Sequence, residues 1–220
     1  MEKGPPVTQI NIATRFSLFA ALALSAGCHP SGAEPPLTGA DLYRACGSCH
    51  GEKGEGDKVI GAPAIAGLPK WYVRRQLDSF RTGMRGAHPD DIEGLRMRPM
   101  SRQMKSQEEV DTVATYVSQL PAQKPAPTVK GDPAKGKAAY AVCLACHGPE
   151  GKGNEQLNAP RINAQHDWYL VTQLHKFRAG VRDYMPNDTI GATMRPMSMT
   201  LTNEEAINDV VAYISTLPPL

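Results

Sequence analysis

Two pentapeptides, Cys46-Gly47-Ser48-Cys49-His50 and Cys143-Leu144-Ala145-Cys146-His147, stand 97 residues apart and hold four of the chain's five cysteines. Any fold available to this chain must present two thiols one helical turn apart, followed by an imidazole, and must do so twice. The register runs well beyond the motif. With the same shift and no gaps over residues 38–120 and 135–217, Pro63 falls on Pro160, Trp71-Tyr72 on Trp168-Tyr169, Gln76 on Gln173 and Phe80-Arg81 on Phe177-Arg178. Met97-Arg98-Pro99-Met100-Ser101 falls likewise on Met194-Arg195-Pro196-Met197-Ser198. Self-similarity at a fixed shift marks a duplicated structural unit. The copies are placed at residues 38–120 and 131–220. Between them, residues 121–130 form a proline-rich linker that favours an extended connection.

Each copy reads as helices and loops. The first helix opens near Thr38 in one copy and at Asp132-Pro133 in the other, where Asp can cap free amides and Pro suits the first helical position. A middle helix is expected from Trp71 to Arg81 and from Trp168 to Arg178. The last helix starts at Ser106 with Glu109 three residues on, and at Thr202 with Glu205, both fitting a capping box. Val110, Val113, Val117 and Leu120 recur at helical spacing, as do Ile207, Val210, Ile214 and Leu217, which gives each last helix an apolar stripe for a core. The expected fold is all-α, with about three helices per copy. Aromatic residues are only 6% of the chain, so modules of this size are short of large side chains and need another core element.

The motif supplies that element. Two cysteines spaced C-x-x-C can each add to a haem vinyl group, and the adjacent His then lies under the iron as an axial ligand. Cys46, Cys49, Cys143 and Cys146 are therefore the expected thioether positions of two covalent haem c groups, with His50 and His147 on the metals. Zinc would need a fourth nitrogen or sulfur ligand in each copy. The remaining candidates, His88 in one copy and His166 and His175 in the other, do not occupy matching places. A redox dithiol normally sits in a βαβ context that this helical pattern lacks. A sixth iron ligand is supplied by a Met thioether in many electron carriers. Met97 and Met100 follow His50 by 47 and 50 residues, and Met194 and Met197 follow His147 by the same distances; spacing does not separate the members of each pair.

The chain resembles the two-haem cytochromes c4, built from two class I c-type domains. The resemblance covers residues from about 38 to 218. It is carried by the paired C-x-x-C-H motifs, Ala62-Pro63-Ala64-Ile65-Ala66-Gly67, Gln76-Leu77 with Phe80-Arg81-Thr82-Gly83, and the Met-x-x-apolar segment before the last helix. It implies that the first residue of that segment, Met97 or Met194, ligates iron while the fourth is merely apolar. It also implies a backbone carbonyl at Pro63 and Pro160 orienting the proximal imidazole. Trp71, Tyr72, Arg81 and their partners Trp168, Tyr169 and Arg178 are candidates to bond haem propionates or cover a haem edge. Copy two departs at Arg161-Ile162-Asn163-Ala164, where the family usually has Leu-Ala-Gly.

Lys3, Arg15 and the apolar run Phe16 to Ala26 have the layout of a secretory signal over residues 1–27, followed by a short segment at 28–37. Leu24-Ser25-Ala26-Gly27-Cys28 resembles a bacterial lipoprotein cleavage site, with Ser25 where that motif prefers Leu. Lipidated Cys28 would give a membrane attachment; cleavage after Ala33 would discard it. The expected location is the periplasm. The 24 basic and 22 acidic side chains, net +2, are interspersed, which excludes a nucleic-acid footprint. The resemblance implies a carrier, not an enzyme, that passes single electrons from a quinol-oxidising complex to a terminal oxidase. An electron-transfer subunit of a periplasmic oxidoreductase, or a dihaem enzyme with a displaceable axial ligand, is the alternative. The partner-facing surface is expected to be weakly charged in total; only a steep salt dependence of electron transfer would point to Arg74, Arg75, Arg96, Arg98 and Arg102 as a docking patch.

Overall fold

The Thr38 hydroxyl accepts from Asp41 N while the Asp41 carboxylate accepts from Thr38 N, and this reciprocal cap opens α1 (Gly39–His50). The computed structural model describes Met1, Gly4 and residues 35–219; most of the leader, and Cys28, lie outside the described residues. After α1 the chain forms α2 (Lys70–Thr82), α3 (Ile92–Ser101) and α4 (Gln107–Gln119). Residues 121–130 carry no helix or strand, and the second copy follows as α5 (Pro133–Ala139), α6 (Ala141–His147), α7 (Asp167–Arg178), α8 (Thr189–Met199) and α9 (Glu204–Thr216). Among the described residues there is no strand, only the isolated bridges Asp57–Ala62 and Asn154–Ala159. No helix described is long and apolar enough to cross a membrane.

The three expected helices are present in each copy, joined by another. The Met-Arg-Pro-Met segments are the C-terminal halves of α3 and α8, despite Pro99 and Pro196 inside them. Proline removes one backbone bond; the last turn is held instead by Ser101 and Ser198, whose hydroxyls donate to Arg98 O and Arg195 O at 2.9 and 2.8 Å. In copy two the first helix divides at Tyr140, where Cys143 N bonds Tyr140 O and tightens the turn. The cap of α9 is Asn203 rather than Thr202; its side chain accepts from Ala206 N at 2.9 Å. This is the position that the 97-residue shift assigns to Ser106, so the repeat register holds with Asn replacing Ser.

The apolar stripes form the cores. Val110, Val113 and Val117 of α4 are buried with Tyr43, Leu68, Val73, Leu77 and Met104. Ile207, Val210, Ile214 and Leu217 are buried with Tyr140, Val211 and Leu201. The linker is tied to copy two: Asp167 accepts from Thr128 N, Val129 N and the Thr128 hydroxyl, and Lys124 donates to Leu217 O at 2.9 Å.

One departure of copy two carries backbone strain. Gly67 has φ +63, and its counterpart Ala164 has φ +51, in the left-handed region that disfavours a Cβ. Ala164→Gly should stabilise the protein by about 1 kcal/mol and Gly67→Ala should destabilise it by a similar amount or more, the latter also because a Cβ there would lie 2.9 Å from Ala122 Cβ. Denaturant midpoints of the two variants check the opposite signs.

Candidate functional site

The turn of α1 that ends in His50 sets the site. The loop after it returns so that His50 Nδ1 lies 2.9 Å from Pro63 O, and His147 Nδ1 lies 2.8 Å from Pro160 O. A carbonyl oxygen only accepts, so Nδ1 carries the proton and Nε2 keeps its lone pair. Both rings are buried. Burial pushes both pKa values down, opposed by the bond to the proline carbonyl, which keeps the imidazoles neutral and able to bind a metal. Tyr43 and Tyr140, which occupy matching places, donate from their hydroxyls to Gly51 O and Gly148 O at 2.7 Å and pin the residue after each His.

The thiols lie beside these rings. Burial pushes Cys46 and Cys143 up to about 11, so neither is held as the free thiolate of a reactive cysteine. Among the described residues no group of three His, Cys, Asp or Glu side chains converges to hold a metal ion. What the residues do surround is one cavity of about 900 Å³, lined from copy one by Cys46, Cys49, His50 and Met97 and from copy two by Cys143, Cys146, His147 and Met194. Tyr72, Trp168 and Tyr169 also reach it, whereas Trp71, Arg81 and Arg178 do not line it.

Met100 and Met197 line the same cavity, but their surroundings separate them from Met97 and Met194. Met97 is half-buried and packs on the first core cluster. Met100 offers its sulfur to Gln103 Nε2 at 3.5 Å. Met194 is half-buried, whereas Met197 is 39% exposed.

Two arginines that the sequence reading passed over complete the cavity. Arg85 and Arg182 occupy matching places, each donating to a glutamine of the preceding helix, Gln76 Oε1 at 2.5 Å and Gln173 Oε1 at 3.0 Å. Each guanidinium lies over a phenylalanine ring, Phe80 or Phe177, at 4.4 Å. Their Nε atoms are buried with no partner. Burial, and next the neighbouring Arg182, hold Arg85 below the usual guanidinium range. Both arginines are half-buried and share the cavity lining with Asp91, Glu93 and Asp188; their unpartnered Nε atoms call for acceptors from a ligand. A flat apolar macrocycle with two carboxylates, attached at C-x-x-C, meets that demand in each copy. The repeat register was the signal for this pair, since it places Arg85 on Arg182.

The cytochrome c family model matches residues 37–121 and again 133–218. A thiosulfate dehydrogenase electron acceptor of Stutzerimonas stutzeri is 35% identical over 184 residues, 79% of each chain. Cytochrome c4 of Azotobacter vinelandii is 29% identical, over 91% of this chain and 97% of its own. The crystal structure of reduced recombinant cytochrome c4 from Pseudomonas stutzeri superposes with a TM-score of 0.62, with 28% identity over 82% of this chain and 97% of that one.

Replacing Arg85 or Arg182 by Gln removes a cation from the cavity with little loss of volume. The midpoint potential of the haem in that copy should fall, by on the order of 59 mV if the preference for the ferrous state weakens tenfold. Spectroelectrochemical titration checks this; two unchanged potentials would place the guanidiniums away from the redox centres.

Proposed function

Because the chain belongs to the cytochrome c family, as two tandem domains like those of the dihaem cytochromes c4, and carries two covalent haem c groups, we propose that it is an exported single-electron carrier with His/Met ligation at both irons. The observation that carries this reading is the single cavity into which both copies bring the same set: two cysteines, a neutral His and a Met. Each haem supplies an iron that changes valence by one electron. The chain does the rest. Cys46, Cys49, Cys143 and Cys146 form the thioether links, and the Nε2 atoms of His50 and His147 are the proximal ligands. Pro63 O and Pro160 O hold the rings in the tautomer that leaves those atoms free. Met97 and Met194 would supply the second protein ligand to each iron, and Arg85 and Arg182 would meet the propionates. Irons so held by His and Met would leave no place for a substrate, which favours a carrier over an enzyme.

The likeness to cytochromes c4 supports a quinol-oxidising complex as donor and a terminal oxidase as acceptor. The 35% identical relative, by its name, supports a second reading in which the donor is a thiosulfate-oxidising enzyme. Stopped-flow mixing of the oxidised protein with thiosulfate dehydrogenase and thiosulfate separates them: prompt reduction of both haems favours the second reading, and none favours the first. The periplasmic location, the signal over residues 1–27 and lipidation of Cys28 belong to the same proposal and are checked by the mass of the mature N-terminus.

Met97→Ala or Met194→Ala should open one iron of the ferrous protein to carbon monoxide, whereas Met100→Ala and Met197→Ala should leave ligation intact; optical spectra read the difference, and the reverse pattern would reassign the ligands. Electron transfer to the partner should depend only weakly on salt. The arginines that a strong salt dependence would have pointed to are dispersed. Arg74 pairs with Asp111 at 3.1 Å, Arg75 reaches Asn158 O at 3.1 Å in the other domain, and Arg98 turns inward to Gly86 O. Arg96 and Arg102 remain exposed on separate backbone partners, Ile60 O and Arg81 O. Screening has little concentrated charge to act on. A steep loss of rate from low to moderate salt would contradict this.

A further inference from the structure

The helix that carries Met97 is held at its start from the other domain. α3 is capped by Asp91, which is 1% exposed and accepts from Gly94 N at 3.3 Å. Lys176, on α7 of domain two, reaches across to the same carboxylate, with Nζ 2.5 Å from Asp91 Oδ1 and 2.5 Å from Glu93 Oε2. Its side chain is 11% exposed. The arrangement is one-sided. The residue matching Lys176 in domain one is Ser79, and Asp188, the matching cap of α8, accepts from Gly191 N at 2.8 Å and has no ion pair among the described residues. The cap bond is thus shorter where the carboxylate is not shared.

A surface ion pair with this geometry would mean little. Here both charges are withdrawn from water, and removing one partner leaves the other buried and uncompensated, which is strongly unfavourable. The carboxylate at stake ends a helix that bears a Met six residues on, less than two turns away. On the domain-one side, α3 is fastened by Arg96 Nη1 to Ile60 O at 3.0 Å; on the other side Lys176 is the fastening.

We propose that Lys176 is a positioning residue for the sixth ligand of the first haem: through this side chain, domain two holds the start of α3 and keeps Met97 on its iron. The inference rests on the reading of Met97 as that ligand. Ligation in domain one then depends on the domain contact, whereas ligation in domain two does not depend on a reciprocal bond.

The test uses the full-length holoprotein. Lys176→Ser, which installs the residue found at the matching position, should let the ferrous protein take up carbon monoxide at one haem of two, at least tenfold faster than the parent. It should also lose the ligand-methyl proton resonance that Met97→Ala abolishes. Lys176→Arg should restore both. A merely structural Lys176 would lower the unfolding midpoint without moving either signal. Uptake at the haem whose resonance Met194→Ala abolishes, no uptake at all, or equal uptake in Gln165→Leu would each overturn the proposal. Gln165 serves as the comparison because it makes a separate domain contact, bonding Ala64 N and Ala64 O at 3.1 and 2.8 Å. The double variant Asp91→Asn, Lys176→Met buries no lone charge and should show the same uptake, which keeps the question answerable if Lys176→Ser does not fold. If Met97→Ala itself fails to bind carbon monoxide, the ligand assignment falls, independently of Lys176.

Discussion

Each domain is arranged around one hydrogen bond, from a buried imidazole to a proline carbonyl 13 residues further on. To make it, the chain must turn back sharply after the C-x-x-C-H helix and pass close to itself. Gly56 and Gly153 mark that passage. Both have positive φ, and a Cβ on either would lie within 2.7 Å of the carbonyl carbon of Pro63 or Pro160. A side chain at either place would displace the acceptor that fixes the ring. The antiparallel bridges Asp57–Ala62 and Asn154–Ala159 close the same loop. One lone pair on Nε2 is thereby aimed by a backbone turn, which is stiffer than a side-chain partner would be.

The two domains are built alike but do not meet alike. Arg161, Gln165, His166 and Lys176 occupy the places that hold Ala64, Leu68, Pro69 and Ser79 in the first copy. Every one of them bonds across the interface: Arg161 to Ala66 O at 3.0 Å, Gln165 to Ala64, His166 to Glu55 O at 2.7 Å and Lys176 to Asp91 and Glu93. Most of these acceptors are backbone carbonyls of domain one, in the loop that turns back to the proximal proline and just beyond it. Groups that water would satisfy in a lone domain are satisfied here by the duplicate. The departure at Arg161-Ile162-Asn163-Ala164 is therefore partly a docking device, and its cost is the left-handed alanine at 164.

Much of this was legible in the chain. The cysteine pairs, the caps at Thr38, Ser106 and Asp132 and the valine stripe of α4 follow from spacing and from side-chain chemistry that acts within a few residues. The additional helices α3 and α8 were not legible, because a proline within a Met-Arg-Pro-Met run argues against helix and only the serine bond in the last turn offsets it. Thr202 with Glu205 fits the capping-box spacing whereas Asn203, with Ala206 three residues on, does not, so only the repeat register points to the observed cap. Arg85 and Arg182 carry no local motif; the burial of their Nε atoms is a property of the assembled cavity, and no local pattern reports a donor left without a partner. The cross-domain bonds were hidden for the same reason, since they join residues 83 to 111 positions apart.

The single cavity gives that burial its consequence. Were each cofactor enclosed in its own pocket, the two copies would be electrostatically separate, screened by protein and water between them. Here burial, and next the neighbouring Arg182, hold Arg85 below the usual guanidinium range, and interactions with a group withdrawn from water are stronger than at a surface. Asp91 partly offsets that shift, and Asp91, Glu93 and Asp188 line the same cavity, yet the Nε atoms of Arg85 and Arg182 keep no partner. Propionates of the proposed haems would supply the acceptors that these two Nε atoms lack.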